Sequence, residues 1–388
     1  MRLSAIPKEE YDRRIKSLQS VLEKNNIDCF VGYSSECESA TSRYLTGFWP
    51  FFDFASVVVP VEGKPVLITG GPESSEFARA FSAISNIKID PSLVESSAPE
   101  WMIPVSGESL DSIIVDACKK IPHRIAIANW NIFPKQLFDE ILNIDPNLEV
   151  MKGDCYLFEV QSIKSKVEIP YIKKAYQITE EAMKEALLRA EPGKEEWELE
   201  AVARMKMLEL GAEGMSYPAW VCSGPNTKLS LARSTDRVIQ KNELVQFTFG
   251  AKFMGYCGNM CRPFSIGKAP ESARKLMEVA LEGMNYALEN IRPGAKASTL
   301  FDGYYKILSK YGYEEYSLYG PAHGTGSSEV EGLWLSKNAN FIIKPYMLFN
   351  IDIWISDGKN GVRYEDGILV KENGIEELTF YKREIIEI

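Results

Sequence analysis

Histidine is nearly absent from this chain: its 388 residues include only two, His123 and His323. A catalyst or metal centre that needs several imidazoles cannot be assembled from that supply. Cysteine pairs are missing as well. Cys29, Cys37, Cys118, Cys155, Cys222, Cys257 and Cys261 are scattered, odd in number and without a CxxC spacing. That pattern suits reduced thiols in a cytoplasm better than a disulfide framework. Positive charge is not in excess: 44 Lys and Arg against 54 Asp and Glu leave a net charge of -10. Such a surface repels a phosphate backbone and argues against nucleic acid as a partner. No run of about 18 apolar residues occurs, and the N-terminal MRLSAIPKEEYDRR has no apolar core, so neither a membrane span nor a secretory leader is expected. No GxGxxG or GxxxxGK[ST] follows a strand-like run, and a nucleotide site is not indicated.

What is present is ordinary globular material, 45% hydrophobic and 11% aromatic, in a length that suits two domains. In the first part, Tyr11, Ile15, Leu18, Val21 and Leu22 follow a helical spacing. IDCFVGYS, FASVVVPV, KPVLITG and RIAIANWN read as strands, with helices over SSEFARAF and ESLDSIIVDACKK between them. This alternation predicts an α/β layered domain. The pattern changes between residues 156 and 162. From Glu168 onward Ile169, Ile172, Tyr176, Ala182, Met183 and Leu187 mark a long amphipathic helix. The expected domains are 1–158 and 159–388. In the second, two helix pairs each break at Pro-Gly, at AEPGK and IRPGA, and suggest an internal repeat of helix pairs over one curved sheet.

Between the helix pairs lies LVQFTFGAKFMGYCGNMCRP, Leu244 to Pro263. It reads as two strands joined by a turn at GAKFMG, with Thr248 on the first and Cys257, Asn259 and Cys261 at alternate positions of the second. Alternate residues share one face of a strand, so these short polar side chains converge on a site. His123, in KKIPHRIAIAN, suits a surface or loop-packing role. His323, in PAHGTG, is the imidazole with chemical prospects.

The order of YLTGF, SIKSKVEI, EPGKEEWEL, SGPN, ELVQFTFGA, GYCGNMCRPF, IRPGA, AHGTG, MLFNIDI and GVRYEDGILV resembles the creatinase, prolidase and aminopeptidase P family over essentially the whole chain. The resemblance implies an α+β protein: a C-terminal pita-bread domain preceded by a creatinase-like α/β N-terminal domain, in a homodimer. Metallopeptidases of that family hold two divalent ions with two aspartates, a histidine and two glutamates. The corresponding positions here are Thr248, Asn259, His323, Asp352 and Glu365. Two aspartates have become neutral, and hard dications want carboxylate oxygens. The expectation is therefore no paired-metal cofactor. One divalent ion on His323, Asp352 and Glu365, with Cys261 as a further donor, is the one-metal alternative, with Xaa-Pro peptidase-like or lyase activity. Two assisting histidines of the family fall at Leu231 and Val330, both apolar, so prolidase or aminopeptidase activity is not expected. Creatinase itself needs the histidine at Leu231 and a glutamate at Cys261, so its mechanism is not supported either.

The remaining groups suit a hydrolase of a small C–N bond substrate. His323, Glu365, Asp352 and Cys261 are its candidate catalytic residues; Thr248, Asn259, Leu231, Cys257 and Phe51 are its candidate substrate contacts. Cys261 beside His323 would make a nucleophile, or Cys261 is a small buried filler. Glu365 or Asp352 would be the base, with His323 bonded to one of them. Carboxylates without metal favour a cationic small molecule. Phe51, in FWPFFDF, would wall a partner subunit's pocket or pack in the core. A binding protein without turnover is the alternative from another class. A cavity closed by Leu231 and Val330 would favour it, and an open one a retained pocket.

Overall fold

The helical spacing of Tyr11, Ile15, Leu18 and Leu22 is realised in α1 (Lys8–Lys24), which buries those side chains. The computed structural model describes residues 5–95, 106–316 and 319–388. The chain divides into two units, Ala5–Gln161 and Ser162–Ile388. In the first, β1 (Cys29–Ser34), α2 (Ala40–Thr46), β2 (Ala55–Pro60), β3 (Val66–Thr69), α3 (Pro72–Phe81) and β4 (Ile87–Ile89) are followed by α4 (Leu110–Cys118), β5 (Arg124–Ala128), α5 (Lys135–Leu142), β6 (Glu149–Lys152) and α6 (Asp154–Gln161). The sheet order is β4-β3-β2-β1-β5-β6. β1 pairs antiparallel with β2 and parallel with β5. The apolar runs are buried throughout β1, β2 and β3, as strands covered on both faces require. His123 is exposed at the start of β5. Phe51 and Phe52 are 54% and 71% exposed, with their rings 4.4 Å apart. Phe51 is thus a surface side chain of this unit, not part of its core.

The second unit begins with α7 (Ile169–Leu188), α8 (Glu196–Glu209), β7 (Gly214–Met215), β8 (Trp220–Ser223), β9 (Leu244–Phe253) and β10 (Tyr256–Ser265). It continues through α9 (Glu271–Asn290), α10 (Ala297–Tyr311), β11 (Ala322–Gly324), β12 (Glu331–Trp334), β13 (Leu348–Ser356), β14 (Gly361–Lys371), β15 (Gly374–Glu377) and β16 (Ile386–Glu387). Its sheet runs β12-β11-β13-β14-β10-β9-β7, with β15 on β14, β16 on β10 and β8 on β9. Each helix pair covers its own half. Ile178, Met183 and Leu199 of α7 and α8 pack with Phe247, Phe249 and Met260. Leu276, Met284, Leu300 and Tyr304 of α9 and α10 pack with Ile351, Ile353 and Tyr364. Among the described residues, no helix is long and apolar enough to cross a membrane.

The β9–β10 hairpin is longer than its sequence suggests. Pairing runs from Leu244↔Ser265 to Phe253↔Tyr256, so Gly250 to Phe253 lie in the strand and the turn is Met254-Gly255. Both turn residues have positive φ, 50° and 86°, the geometry that suits two-residue hairpins. The strand persists because β7 pairs with Lys252 and Ala251.

Close packing of α7 on this hairpin aims one side chain at the middle of the sheet. A Cβ on Gly258 would run into the backbone of Ala175 and Tyr176, and one on Gly367 into the Tyr176 ring. The two glycines therefore make the slot through which Tyr176 reaches Asn350. Gly258→Ala is expected to destabilise the C-terminal unit by about 1–3 kcal/mol, the usual cost of overpacking. Urea unfolding measures it, and an unchanged midpoint would show that α7 can lift off β10 freely.

Candidate active site

Strand register brings the chemistry together. Cys261 on β10 stands opposite both Thr248 on β9 and Glu365 on β14. Glu365 stands opposite Asp352 on β13. His323 on β11 stands opposite Asn350, two residues before Asp352 on β13. All of these side chains are buried.

Glu365 is the hub. Its Oε1 accepts from Asn350 Nδ2 at 2.9 Å and its Oε2 from the Cys261 thiol at 2.9 Å. Asn350 is itself held by the Tyr176 hydroxyl. Burial pushes the Glu365 carboxyl well above the usual range, and the facing Asp352 and Glu329 carboxylates add to it. Beside it Arg363 places Nε 3.5 Å from Asp352 Oδ1. That distance is within ion-pair reach, but the atoms are not aligned for a hydrogen bond, and among the described residues both lack any such partner. Burial works against the Arg363 charge, yet Asp352, with Tyr319, Cys261 and Glu365, outweighs it and raises its pKa.

Cys261 therefore faces Glu365, not His323. Burial and then the Glu365 charge push its thiol well above the ordinary value, the opposite of what a nucleophilic thiolate needs. Nor does His323 bond to Glu365 or Asp352, as its sequence position suggested. Its Nδ1 lies 3.0 Å from the Gly324 carbonyl oxygen, which can only accept, so Nδ1 carries a proton and donates it. Nε2 looks toward Glu329 Oε1 at 3.8 Å.

Glu329 is the site residue that sequence reasoning missed. It stands in SSEVEGLW, one residue before Val330. The only local hint was an acidic residue on each side of Val330. Burial raises its carboxyl pKa, opposed by His323.

A pocket of about 520 Å³ opens over this floor, lined by Tyr217, Pro218, Trp220, Leu231, Ala232, Arg233, Glu329, Arg363 and Glu365. Leu231 is 76% exposed at the wall and leaves the cavity open. Of the other expected contacts, Thr248 and Asn259 are fully buried nearby. Thr248 Oγ1 and Asn259 Nδ2 lack hydrogen-bond partners among the described residues, while Asn259 Oδ1 accepts from the Ser216 hydroxyl at 2.6 Å. Cys257, on β10, is buried and is not among the lining residues.

Residues 170–372 match the model of metallopeptidase family M24. The chain is 31% identical over 376 residues to the Xaa-Pro dipeptidase of Pyrococcus horikoshii, covering 97% of this chain and 99% of that protein. The chain belongs to metallopeptidase family M24. A second relative, the Xaa-Pro dipeptidase of Pyrococcus furiosus, is 31% identical over 239 residues, 61% of this chain and 69% of its own. Among solved structures, the prolidase of Thermococcus sibiricus superposes with a TM-score of 0.83 at 27% identity, covering 97% and 99% of the two chains. The prolidase of Pyrococcus horikoshii gives 0.82 at 24% identity, covering 96% and 100%. The pita-bread domain and the α/β domain before it are thus the M24 arrangement.

M24 metallopeptidases imply a pair of divalent ions among these residues. Thr248 and Asn259 bring no charge, both Glu365 oxygens already accept hydrogen bonds, and Asp352 lies against a guanidinium. Two dications need more negative charge than this set supplies. The donors do not fit a pair, and no step is derived through one.

Thiol reactivity checks the local electrostatics. Burial pushes Cys222 and Cys257 up to about 12, and Cys261 is also raised, whereas Cys37 and Cys155 are exposed. In native protein at about pH 8, iodoacetamide should label the exposed Cys37 and spare Cys222, Cys257 and Cys261, because thiolate is the reactive form; partial burial raises the Cys155 thiol, which should label more slowly than Cys37. Rapid labelling of Cys261, mapped by mass spectrometry, would contradict its placement.

Proposed function

We propose that this chain is an Xaa-Pro dipeptidase-like hydrolase that cleaves the C–N bond of a small, dipeptide-sized substrate in the pocket between Trp220 and Glu365. The observation that carries the reading is the 31% identity to an Xaa-Pro dipeptidase across nearly the full length of both chains, together with an open pocket over the retained His323, Asp352 and Glu365. A volume of about 520 Å³ lies in the range of small-ligand sites.

The chain's own groups supply three functions. Tyr217, Pro218, Trp220 and Leu231 form an apolar wall that suits a prolyl ring. Arg233 is exposed at the same wall and offers a cation to a substrate carboxylate. Arg363, buried and held ionised beside Asp352, is a fixed positive charge for the oxyanion that forms when water attacks the carbonyl. Glu329 and Glu365, with raised pKa values, take a proton from the attacking water and return it to the departing amine. The same acidic floor accepts a free ammonium end, which retains the cationic feature expected of the substrate and favours zwitterionic dipeptides over neutral amides. A cytoplasmic setting, consistent with seven free cysteines, and a homodimer using the exposed Phe51 and Phe52 complete the proposal.

The two neutral positions, Thr248 and Asn259, favour one other reading, a protein that binds such a molecule without turning it over. Assay of Ala-Pro and Gly-Pro separates the two. We expect release of free proline, a loss of about 100-fold or more in kcat for Glu365→Gln, and a raised KM with little change in kcat for Arg233→Met. Proline release that survives Glu365→Gln intact would sink the carboxylate mechanism. Calorimetric binding without any release would establish the binding protein.

A further inference from the structure

Strand alternation in β1 sends Cys29, with Val31 and Tyr33, into the core beneath α4, while Phe30 packs with α1 on the other face of the sheet. α4 contributes Leu110, Ile113 and Ile114 to the core that holds Cys29, and Cys118, its last residue, packs against them. The Cys29 and Cys118 thiols interact directly there. Cys29 is fully buried, whereas Cys118 is only half-buried.

The chain on either side of this contact is clamped. Asp28, just before Cys29, accepts from Lys120 Nζ at 2.5 Å, from the His123 N–H at 2.9 Å and from the Arg124 N–H at 3.1 Å. Its own N–H donates to the Arg124 carbonyl oxygen at 3.0 Å. Lys119 closes α4 in the left-handed region, with φ 56°. The segment that leaves α4 is thereby tied to the start of β1, and the two sulfurs stay side by side. We propose that Cys29 and Cys118 form a modification site for small peroxides, at which oxidation closes a reversible disulfide between β1 and the end of α4.

The two thiols have different roles. The neighbouring Cys118 and burial push Cys29 well above its ordinary value, so it keeps its proton. Cys118 is held lower by the Cys29 thiol, with Lys120 in support against burial and the Asp28 carboxylate. Cys118 is therefore the attacking sulfur and Cys29 the resolving one. The Cys118 thiolate attacks one peroxide oxygen, the O–O bond breaks, and the departing hydroxide takes up the proton that Cys118 had released. Water leaves and Cys118 is a sulfenic acid. The Cys29 sulfur then displaces that hydroxyl: the S–S bond forms, the S–O bond breaks, and the Cys29 proton departs with the hydroxyl as a second water. Two thiols have lost two electrons to one peroxide, and a dithiol reductant reverses the step by exchange. Closing the bond draws the sulfurs to about 2 Å, and Cys118, on the final turn of α4, is the end placed to move.

The test exposes reduced, full-length protein to hydrogen peroxide at neutral pH, alkylates remaining thiols in denaturant, and maps the peptides by mass spectrometry without reduction. A linked Cys29–Cys118 peptide pair is expected, returned to two free thiols by dithiothreitol. Cys29→Ala should leave Cys118 as a sulfenic acid that dimedone captures. Cys118→Ser should slow oxidation of Cys29 at least about tenfold, and Cys37→Ser should leave the disulfide unchanged. Circular dichroism checks that the variants fold, and the wild-type peptide map decides the matter if one does not. Oxidised Cys118 with Cys29 still free, or peroxide-induced disulfides that involve Cys37 or Cys155 instead, would overturn the proposal. Peptide cleavage enters none of these readouts, so failure of the dipeptidase reading would leave the result standing.

Discussion

Glu365 sits on β14 near the centre of the C-terminal sheet, 2% exposed, and a charge there costs several kcal/mol unless donors and counter-charges surround it. Much of the surrounding structure can be read as the answer to that cost. Tyr176 passes between Gly258 and Gly367 to hold Asn350, Asn350 and Cys261 hold the two oxygens, and Arg363 supplies a cation nearby. The donors are satisfied in number. The charge is not, because Asp352 and Glu329 crowd the same low-dielectric floor.

That residual charge links structure to function. A well-solvated carboxylate near neutral pH is a weak base, whereas one raised by burial and like-charge neighbours is poised to exchange protons. The same excess of negative charge suits the floor to a positively charged group, such as the substrate ammonium proposed above. Thr248 and Asn259 on β9 and β10 are neutral, whereas Glu329, in the segment after β11, faces His323.

The pocket wall is open. Leu231 lies on it and closes nothing. Arg233, two residues on, places a positive charge at the same wall. Tyr217 and Trp220, with ring centroids 5.5 Å apart, complete a surface that an apolar ring can lie against.

Much of this was legible in the sequence, for reasons of periodicity and order. The helices α1 and α7, the buried strands β1 to β3, and the facing of Thr248 and Cys261 follow from side-chain spacing of 3.6 or 2 residues. The order of short landmarks carried the family. The limit of the β9–β10 hairpin did not follow, because β7, distant in sequence, extends the strand to Phe253. The partners of Cys261 and His323 did not follow either. Cys261 meets Glu365 through the β10–β14 register. His323 meets Glu329 where the β11–β12 ladder shifts register between His323 and Gly324. The sequence by itself determined which residues lie on the buried faces of its helices and strands. Only the tertiary structure decided which charge faces which, because that depends on register between strands whose pairing no local spacing encodes.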